Sequence, residues 1–313
     1  MKPIASRLAR ALTLGMSGLA LIAGMILVAP SAADAGERME RKIRVDGRAR
    51  EYTVFIPDGA SGKEMPVLMA WHPGGATSEW MEENGLFHAK AGGNNFIVVY
   101  PNGFRRTFNA EVCCGLAVER GIDDIKFFRA IMSDLATVTP IKPKAYVTGF
   151  SNGAMMNYRL VCEVPEMIAA AAPFAGAAPM DNCKSGQVPI MHLNGAEDTV
   201  SLNGGERETK SKFGSTSSYL TPPTEALADI ASRNGCSSSQ STLRISDIDS
   251  NCKSYSSCGN DDVLFCVIPN LGHIWPGAPE STGRLLAKLG DRFGPTRPDL
   301  NGTEAIIDFF LAH

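Results

Sequence analysis

The chain has 313 residues, 44% of them hydrophobic and 20% charged, with a formal net charge of −3. That length suits one large domain with a full core. Mild acidity without a basic patch excludes nucleic acid as an expected partner.

The first 35 residues read as a signal peptide. Lys2, Arg7 and Arg10 form a basic start, the run from Ala11 to Pro30 is almost wholly apolar, and Ala33-Asp34-Ala35 is a small-residue cleavage site before Gly36. At about 20 residues the apolar run is long enough to cross a bilayer if uncleaved. The cleavage site favours removal, so a secreted or periplasmic location without a stable membrane anchor is expected. Removal takes away three bases and one acid and leaves 27 basic and 32 acidic residues, a formal charge of −5, on residues 36–313.

Met39 to Pro57 predicts a hairpin turning at Asp46-Gly47. Strands are predicted over 66–71, 96–100, 145–150, 168–174, 188–193 and 262–268. Helices are predicted near 122–137, 152–162, 223–233 and 302–312. This alternation predicts an α/β fold, a mostly parallel central sheet with helices on both faces. Segments 199–220 and 236–261 are polar, rich in Ser, Gly and Asn, and lack periodicity. They are expected to be loops stapled by cysteine and overhanging the site. Asn301-Gly302-Thr303 matches a glycosylation sequon, although a helix cap explains it as well.

All eight cysteines lie beyond the signal. An even count in an exported chain predicts disulfides, and eight cysteines allow 105 pairings. Two clusters are expected, 113/114/162/183 and 236/252/258/266, each paired within itself. Adjacent cysteines rarely bond each other, so Cys113-Cys114 is not expected as a pair. No C-x2-C spacing suggests zinc, and no cofactor or metal is expected.

The residues that carry chemistry begin after the strand Val67–Trp71. There His72-Pro73-Gly74-Gly75-Ala76 offers backbone N–H groups for an oxyanion. Pro73 has none, so Gly74 or Gly75 is the candidate donor, with Ala76 behind. An ordinary Pro-Gly turn is the alternative. Further on, Gly149-Phe150-Ser151-Asn152-Gly153 stands between the β-type run Ala145–Thr148 and a helical run starting at Ala154. A G-x-S-x-G between strand and helix is a nucleophile elbow. Its turn lifts the serine above the sheet at a helix N-terminus, where negative charge is favoured. Asn152 N–H is the first expected oxyanion donor.

A serine needs a base and an orienting acid, in the order Ser, Asp/Glu, His for this architecture. Of five histidines, His72 and His88 precede Ser151. His192 sits in a strand and reads as a core residue, and His313 is terminal and expected to fray. His273, in the loop after strand 262–268, is the candidate base. The acid should follow strand 188–193, where Glu197 and Asp198 stand, with Asp198 preferred as the shorter carboxylate. Asp123 and Asp124 are rivals that also read as helix N-terminal acids. Trp71 and Trp275 are candidate walls of a substrate pocket, or equally core residues.

Gly149–Met156 and Gly272-His273-Ile274-Trp275-Pro276-Gly277 resemble the secreted esterases that include polyhydroxybutyrate depolymerases and feruloyl or acetylxylan esterases. Cys113-Cys114-Gly115 with Asp123-Asp124, and the tail Thr296–Leu300 leading to Ile306–Phe310, are similar too. The likeness spans roughly residues 40 to 312. It implies an α/β-hydrolase fold, a single catalytic domain over 36–313, no metal, and Ser151, Asp198 and His273 as a triad. The implied activity is carboxylic-ester hydrolysis through an acyl-enzyme. Substrates would be feruloyl or acetyl groups on polysaccharide, hydroxyalkanoate oligomers, or small esters. Members dedicated to polyester usually add a linker and a binding domain, so large crystalline polymer is disfavoured for a chain ending here. Two departures stand out. His72-Pro73 replaces the family's His-Gly, and Lys126 stands where a glycine usually follows Asp-Asp, in what would be a pocket wall. The competing readings are a non-catalytic extracellular polysaccharide- or lipid-binding protein on the same fold, and a thiol protein using Cys113-Cys114.

Overall fold

Asp46 and Gly47, at φ 50° and 75°, close a two-residue turn between β1 (Gly36–Val45) and β2 (Arg48–Pro57), as their sequence predicts. The structure, a computed structural model, describes residues 36–60, 62–91, 96–179, 181, 183–211, 214–259, 262–282 and 293–313. The signal-peptide reading of residues 1–35 lies outside the described residues.

The next strands are β3 (Met65–Trp71), β4 (Ile97–Pro101), β5 (Ile141–Phe150), β6 (Ile168–Phe174) and β7 (Ile190–Gly195). Later come β8 (Gly205–Ser211), β9 (Gly214–Leu220), β10 (Ser237–Ile245), β11 (Ser250–Ser256) and β12 (Val263–Ile268). Ten of them form one sheet in the order β1-β2-β4-β3-β5-β6-β7-β12-β11-β10. From β4 to β12 every neighbour is parallel. The strands added at either edge are antiparallel. Central strands such as β4 and β7 are buried at every position. β4 reads as a continuous apolar run for that reason, whereas β7 carries His192 and Asn194 within its buried length.

The described helices are α1 (Ser78–Gly85), α2 (Phe87–Ala91), α3 (Gly115–Glu119), α4 (Asp124–Leu135), α5 (Asn152–Glu163), α6 (Pro223–Arg233) and α7 (Gly302–Leu311). Strand alternation splits the core in two. Val67, Met69 and Trp71 join a cluster with α4, α5 and α6 residues such as Phe128, Met156 and Leu227. Leu68 and Ala70 join another with Phe87 and with Ile306 and Phe310 of α7. Among the described residues no helix is long and apolar enough to cross a membrane.

The sheet corrects the loop reading of 199–220 and 236–261. β8 and β9 pair as a separate hairpin, and β10 and β11 extend the main sheet beyond β12. β10 is exposed along nearly its whole length, so no apolar alternation marked it as a strand. Its place rests on backbone pairing to β11 and on disulfides. The C-terminus is likewise ordered. His313 Nδ1 bonds Phe309 O at 2.8 Å and its ring packs on Phe309, so the expected fraying is not seen.

All eight cysteines pair: Cys113–Cys114, Cys162–Cys183, Cys236–Cys258 and Cys252–Cys266. Each pair stays inside its expected cluster, but the adjacent Cys113 and Cys114 bond each other, contrary to expectation. Cys252–Cys266 ties β11 to β12, which leads into the His273 loop. Loops of 14 to 22 residues closed in this way are each worth roughly 2–4 kcal/mol. Reduction should therefore lower the melting temperature by roughly 5–10 °C or more. Thermal melting with and without a phosphine reductant checks this, and unchanged melting with all thiols free contradicts it.

Candidate active site

β5 ends at Phe150, Ser151 adopts φ 55° and ψ −115°, and α5 starts at Asn152. A side chain is excluded on both flanks of this turn. A Cβ on Gly149 would lie 2.6 Å from the Gly153 backbone, and one on Gly153 would clash with the Trp71 carbonyl oxygen. The two glycines let α5 press against β3 and β5 while Ser151 is held up between them. Ser151 N donates to Phe174 O at 2.9 Å, which fixes the turn to β6.

His273 arrives from the loop after β12. Its N–H donates to Phe293 O at 2.6 Å and Gly272 N–H to Pro295 O at 2.8 Å, so the backbone is anchored on both sides. The ring packs against Phe150 with centroids 4.8 Å apart. Its Nε2 lies 3.0 Å from Ser151 Oγ and its Nδ1 2.8 Å from Asp198 Oδ2. Nδ1–H therefore donates to the carboxylate, and Nε2 accepts from the serine hydroxyl.

Asp198 is 2% exposed. Its Oδ1 accepts from Val200 N at 2.7 Å and Ser201 N at 3.0 Å; Oδ2 also accepts from Ser201 Oγ at 2.6 Å. Burial pushes this carboxyl upward, but the hydrogen bond and charge of His273, with Ser201 and Val200, outweigh it and hold it below the usual carboxylate range. Glu197 is exposed and meets Leu271 only through its backbone N–H. The structure thus brings Ser151, His273 and Asp198 together and leaves Glu197 outside. The rivals are committed elsewhere. Asp123 caps α4 through Lys126 N at 2.8 Å. Asp124 is buried against Arg50 Nη2 at 2.6 Å and accepts from Asn109 N at 2.7 Å. Lys126 is exposed and pairs with Asp46 of the first hairpin, so it forms no pocket wall.

The oxyanion candidates separate on their hydrogen bonds. Gly75 N–H donates to Arg106 O at 2.8 Å and Ala76 N–H to Pro73 O at 3.1 Å. Gly75 is therefore corrected: its donor is used in holding the loop. Gly74 remains, and a Cβ there would sit 3.5 Å from the Asn152 Cβ, beside the elbow.

Two roles escaped the sequence reading. The Asn152 side chain accepts from Phe108 N at 2.8 Å and donates to Phe108 O at 3.0 Å and Cys113 O at 3.2 Å. It pins the 103–114 loop to the elbow across 44 positions. His72 is fully buried; its Nδ1–H donates to Pro73 O at 2.9 Å and its Nε2 accepts from Gly103 N at 2.9 Å. That neutral tautomer joins the Gly74 loop to the 103–114 loop. A histidine next to a Gly-rich turn was the available signal.

Both tryptophans are core residues, which corrects the pocket-wall reading. Trp71 is fully buried, edge-on to Phe108 at 4.9 Å. Trp275 is buried among Phe87, Phe150 and Phe174, with its indole N–H on Thr303 Oγ1 at 3.3 Å. The half-buried aromatic near the elbow is instead Trp80, stacked on Phe150 at 5.8 Å. It lies on α1, a helix not predicted from the sequence.

His192 is fully buried between Tyr158 OH at 2.8 Å and Asn194 Oδ1 at 3.3 Å, the packing role expected of it. Burial lowers both His72 and His192 to about 4. The unfolded chain takes up these protons near pH 6.5 and the folded chain only near pH 4. Stability is thus lost as pH falls through that window, on the order of 3 kcal/mol for each histidine at its lower end. Denaturant midpoints measured from pH 7 to 4.5 should fall steadily; a flat series contradicts the two neutral imidazoles.

No family model matches the chain. It is 30% identical over 242 residues to a feruloyl esterase B of Piromyces equi, covering 72% of this chain and 42% of that protein. It is 26% identical over 159 residues to a bifunctional acetylxylan esterase/xylanase of Neocallimastix patriciarum, covering 50% and 22%. The chain thus spans less than half the length of these curated relatives. Among solved structures, a feruloyl esterase module from Clostridium thermocellum complexed with sinapinate superposes with a TM-score of 0.54 at 13% identity, over 79% of this chain and 87% of that one. An acetyl xylan esterase from Aspergillus awamori does so with a TM-score of 0.53 at 13% identity, over 79% and 98%. The chain shares its fold with these two solved esterases.

Proposed function

We propose that this chain is a secreted carboxylic-ester hydrolase and that Ser151, His273 and Asp198 are its nucleophile, base and orienting acid. The observation that carries the reading is the continuous line from Ser151 Oγ through both ring nitrogens of His273 to Asp198, at 3.0 and 2.8 Å. Helices over both faces of the sheet, suggested by the two core clusters, would leave the strand ends free for the site, within one catalytic domain over 36–313. The run of Ala11 to Pro30 and four disulfides support export.

Ser151 Oγ attacks the acyl carbonyl carbon while His273 Nε2 takes the hydroxyl proton. The carbonyl oxygen gains the charge and accepts from Asn152 N–H and Gly74 N–H, each donor worth roughly 3 kcal/mol of barrier. Collapse breaks the bond to the alcohol, which leaves with the proton from His273. Water then gives a proton to the same nitrogen as it attacks the acyl carbon; collapse breaks the bond to Ser151 Oγ, which takes that proton back from His273 as the acid leaves. Asp198 fixes the tautomer and stabilises the imidazolium without being protonated.

The relatives' names point to feruloyl or acetyl groups on polysaccharide as the leading substrates. Hydroxybutyrate oligomers, as for polyhydroxybutyrate depolymerases, and small esters follow. The test combines covalent labelling by a fluorophosphonate with a panel of methyl ferulate, acetylated xylan, p-nitrophenyl esters of rising length and hydroxybutyrate oligomers. Label on Ser151 with turnover of at least one ester is expected. No label and no turnover would leave the chain as a polysaccharide or lipid binder.

A further inference from the structure

The loop that Asn152 and His72 hold against the elbow carries an unusual pair at its tip. Phe104 and Thr107 pair across it, Arg106 N bonds Gly103 O at 3.1 Å, and Thr107 N bonds Phe104 O at 3.2 Å. Between them Arg105 and Arg106 both stand at positive φ, 51° and 67°. A two-residue turn with both residues left-handed is the place for Asn-Gly, because a side chain there is strained. The chain uses Asn or Asp with Gly in this way at Asp46-Gly47, but here it spends two arginines. Leu86, Glu111, Ala175 and Ser257 also stand at positive φ, but as single residues, whereas Arg105 and Arg106 are consecutive.

The position is close to the chemistry. The Arg106 carbonyl accepts from Gly75 N–H at 2.8 Å, one residue from the candidate oxyanion donor Gly74. Phe108, two residues on, is bonded by Asn152 and packs on His72 at 4.6 Å. Both arginines are exposed, and among the described residues neither forms an ion pair or a side-chain hydrogen bond. Glu79, the carboxylate that shares the neighbourhood of His72 with Arg106, is engaged by Thr77 and Ser78. Two free guanidiniums at this point on a chain of net charge −3 make a local positive rim. Guanidinium forks match carboxylates in two parallel hydrogen bonds.

We propose that Arg105 and Arg106 form a carboxylate-binding rim beside the oxyanion loop, selecting esters that carry a second, ionised carboxyl group near the scissile bond. A uronate on an acylated polysaccharide and the free acid end of a hydroxy-acid oligomer share this chemistry. The inference rests on the ester-hydrolase reading and deepens it.

The test uses matched pairs on the full exported chain. One arm puts the carboxylate on the acyl side: mono-4-nitrophenyl adipate against 4-nitrophenyl hexanoate. The other puts it on the alcohol side: 4-acetoxybenzoate against 4-tolyl acetate. In at least one arm the ratio of kcat/KM for the anionic over the neutral ester should fall about tenfold in R105Q/R106Q, the loss expected when charge-assisted hydrogen bonds to a carboxylate are removed. R105K/R106K should keep part of it, and added salt should shrink it in the wild type. The variant R105N/R106G separates recognition from folding, since it suits the turn: its melting temperature should match or exceed the wild type while the ratio still falls. A ratio within twofold of wild type for R105Q/R106Q in both arms overturns the rim but leaves the esterase standing. Hydrolysis of neither member of either pair overturns the esterase reading and the rim with it.

Discussion

Ser151→Ala should lower kcat for ester hydrolysis by on the order of 10⁶ while leaving the melting temperature within a few degrees of the wild type. The chemical half of this expectation follows from the single role of the hydroxyl. Its oxygen is the atom 3.0 Å from His273 Nε2, so without it the base has no proton to take and no acyl-enzyme can form. The structural half follows from what the substitution keeps. The Ser151 backbone bonds, N–H to Phe174 O and carbonyl to Met155 N, do not involve the side chain. The strained φ of 55° is no worse for alanine than for serine. What would remain, the Asn152 and Gly74 N–H groups proposed as oxyanion donors, would give only a residual acceleration. His273→Ala should be nearly as damaging. Activity of Ser151→Ala within tenfold of wild type, measured on a p-nitrophenyl ester, would sink the assignment of the nucleophile.

The residues of the elbow were legible because their constraint is local. Gly149 and Gly153 are required by a turn that spans five residues, and the strand before and the helix after lie within ten positions on either side. The buried parallel strands were legible for a similar reason, since burial on both faces writes a continuous apolar run. β10 carries no such record: it is an exposed edge strand of serines and threonine whose order comes from pairing with β11. The oxyanion loop fails differently. Gly74 and Gly75 look alike in sequence, and what separates them is the Arg106 carbonyl, which claims the N–H of Gly75 from 31 positions away. Trp71 and Trp275 are the same kind of case. Their composition fits a pocket wall or a core, and only the packing of Phe108 on one and Phe87, Phe150 and Phe174 on the other decides. Asn152 reads in sequence as a backbone donor, while its side chain holds a loop through Phe108, 44 residues earlier, and Cys113, 39 residues earlier.

Asp198→Asn should cost about 10⁴ in kcat with the fold intact, because the structure dictates which way the new amide must point. Oδ1 of Asp198 receives two backbone donors, Val200 N–H and Ser201 N–H, and only an oxygen can accept them. The amide nitrogen is thereby forced into the place of Oδ2, facing His273 Nδ1 at 2.8 Å. An NH2 group there donates to Nδ1, so the ring must carry its proton on Nε2. That nitrogen then points a proton at Ser151 Oγ and can no longer accept one. The variant also loses the negative charge that stabilises the imidazolium in the transition state. Ser201 Oγ, 2.6 Å from Oδ2, can turn its hydroxyl to accept from the amide, while Asn194 Nδ2, 3.3 Å from Oδ2, loses its acceptor there. Glu197→Gln is the control, since that side chain is exposed; it should stay within about twofold of wild type, as surface substitutions do. Steady-state rates for both variants on one p-nitrophenyl ester decide between them, and a crippled Glu197→Gln beside a mild Asp198→Asn would move the acid to the neighbouring residue.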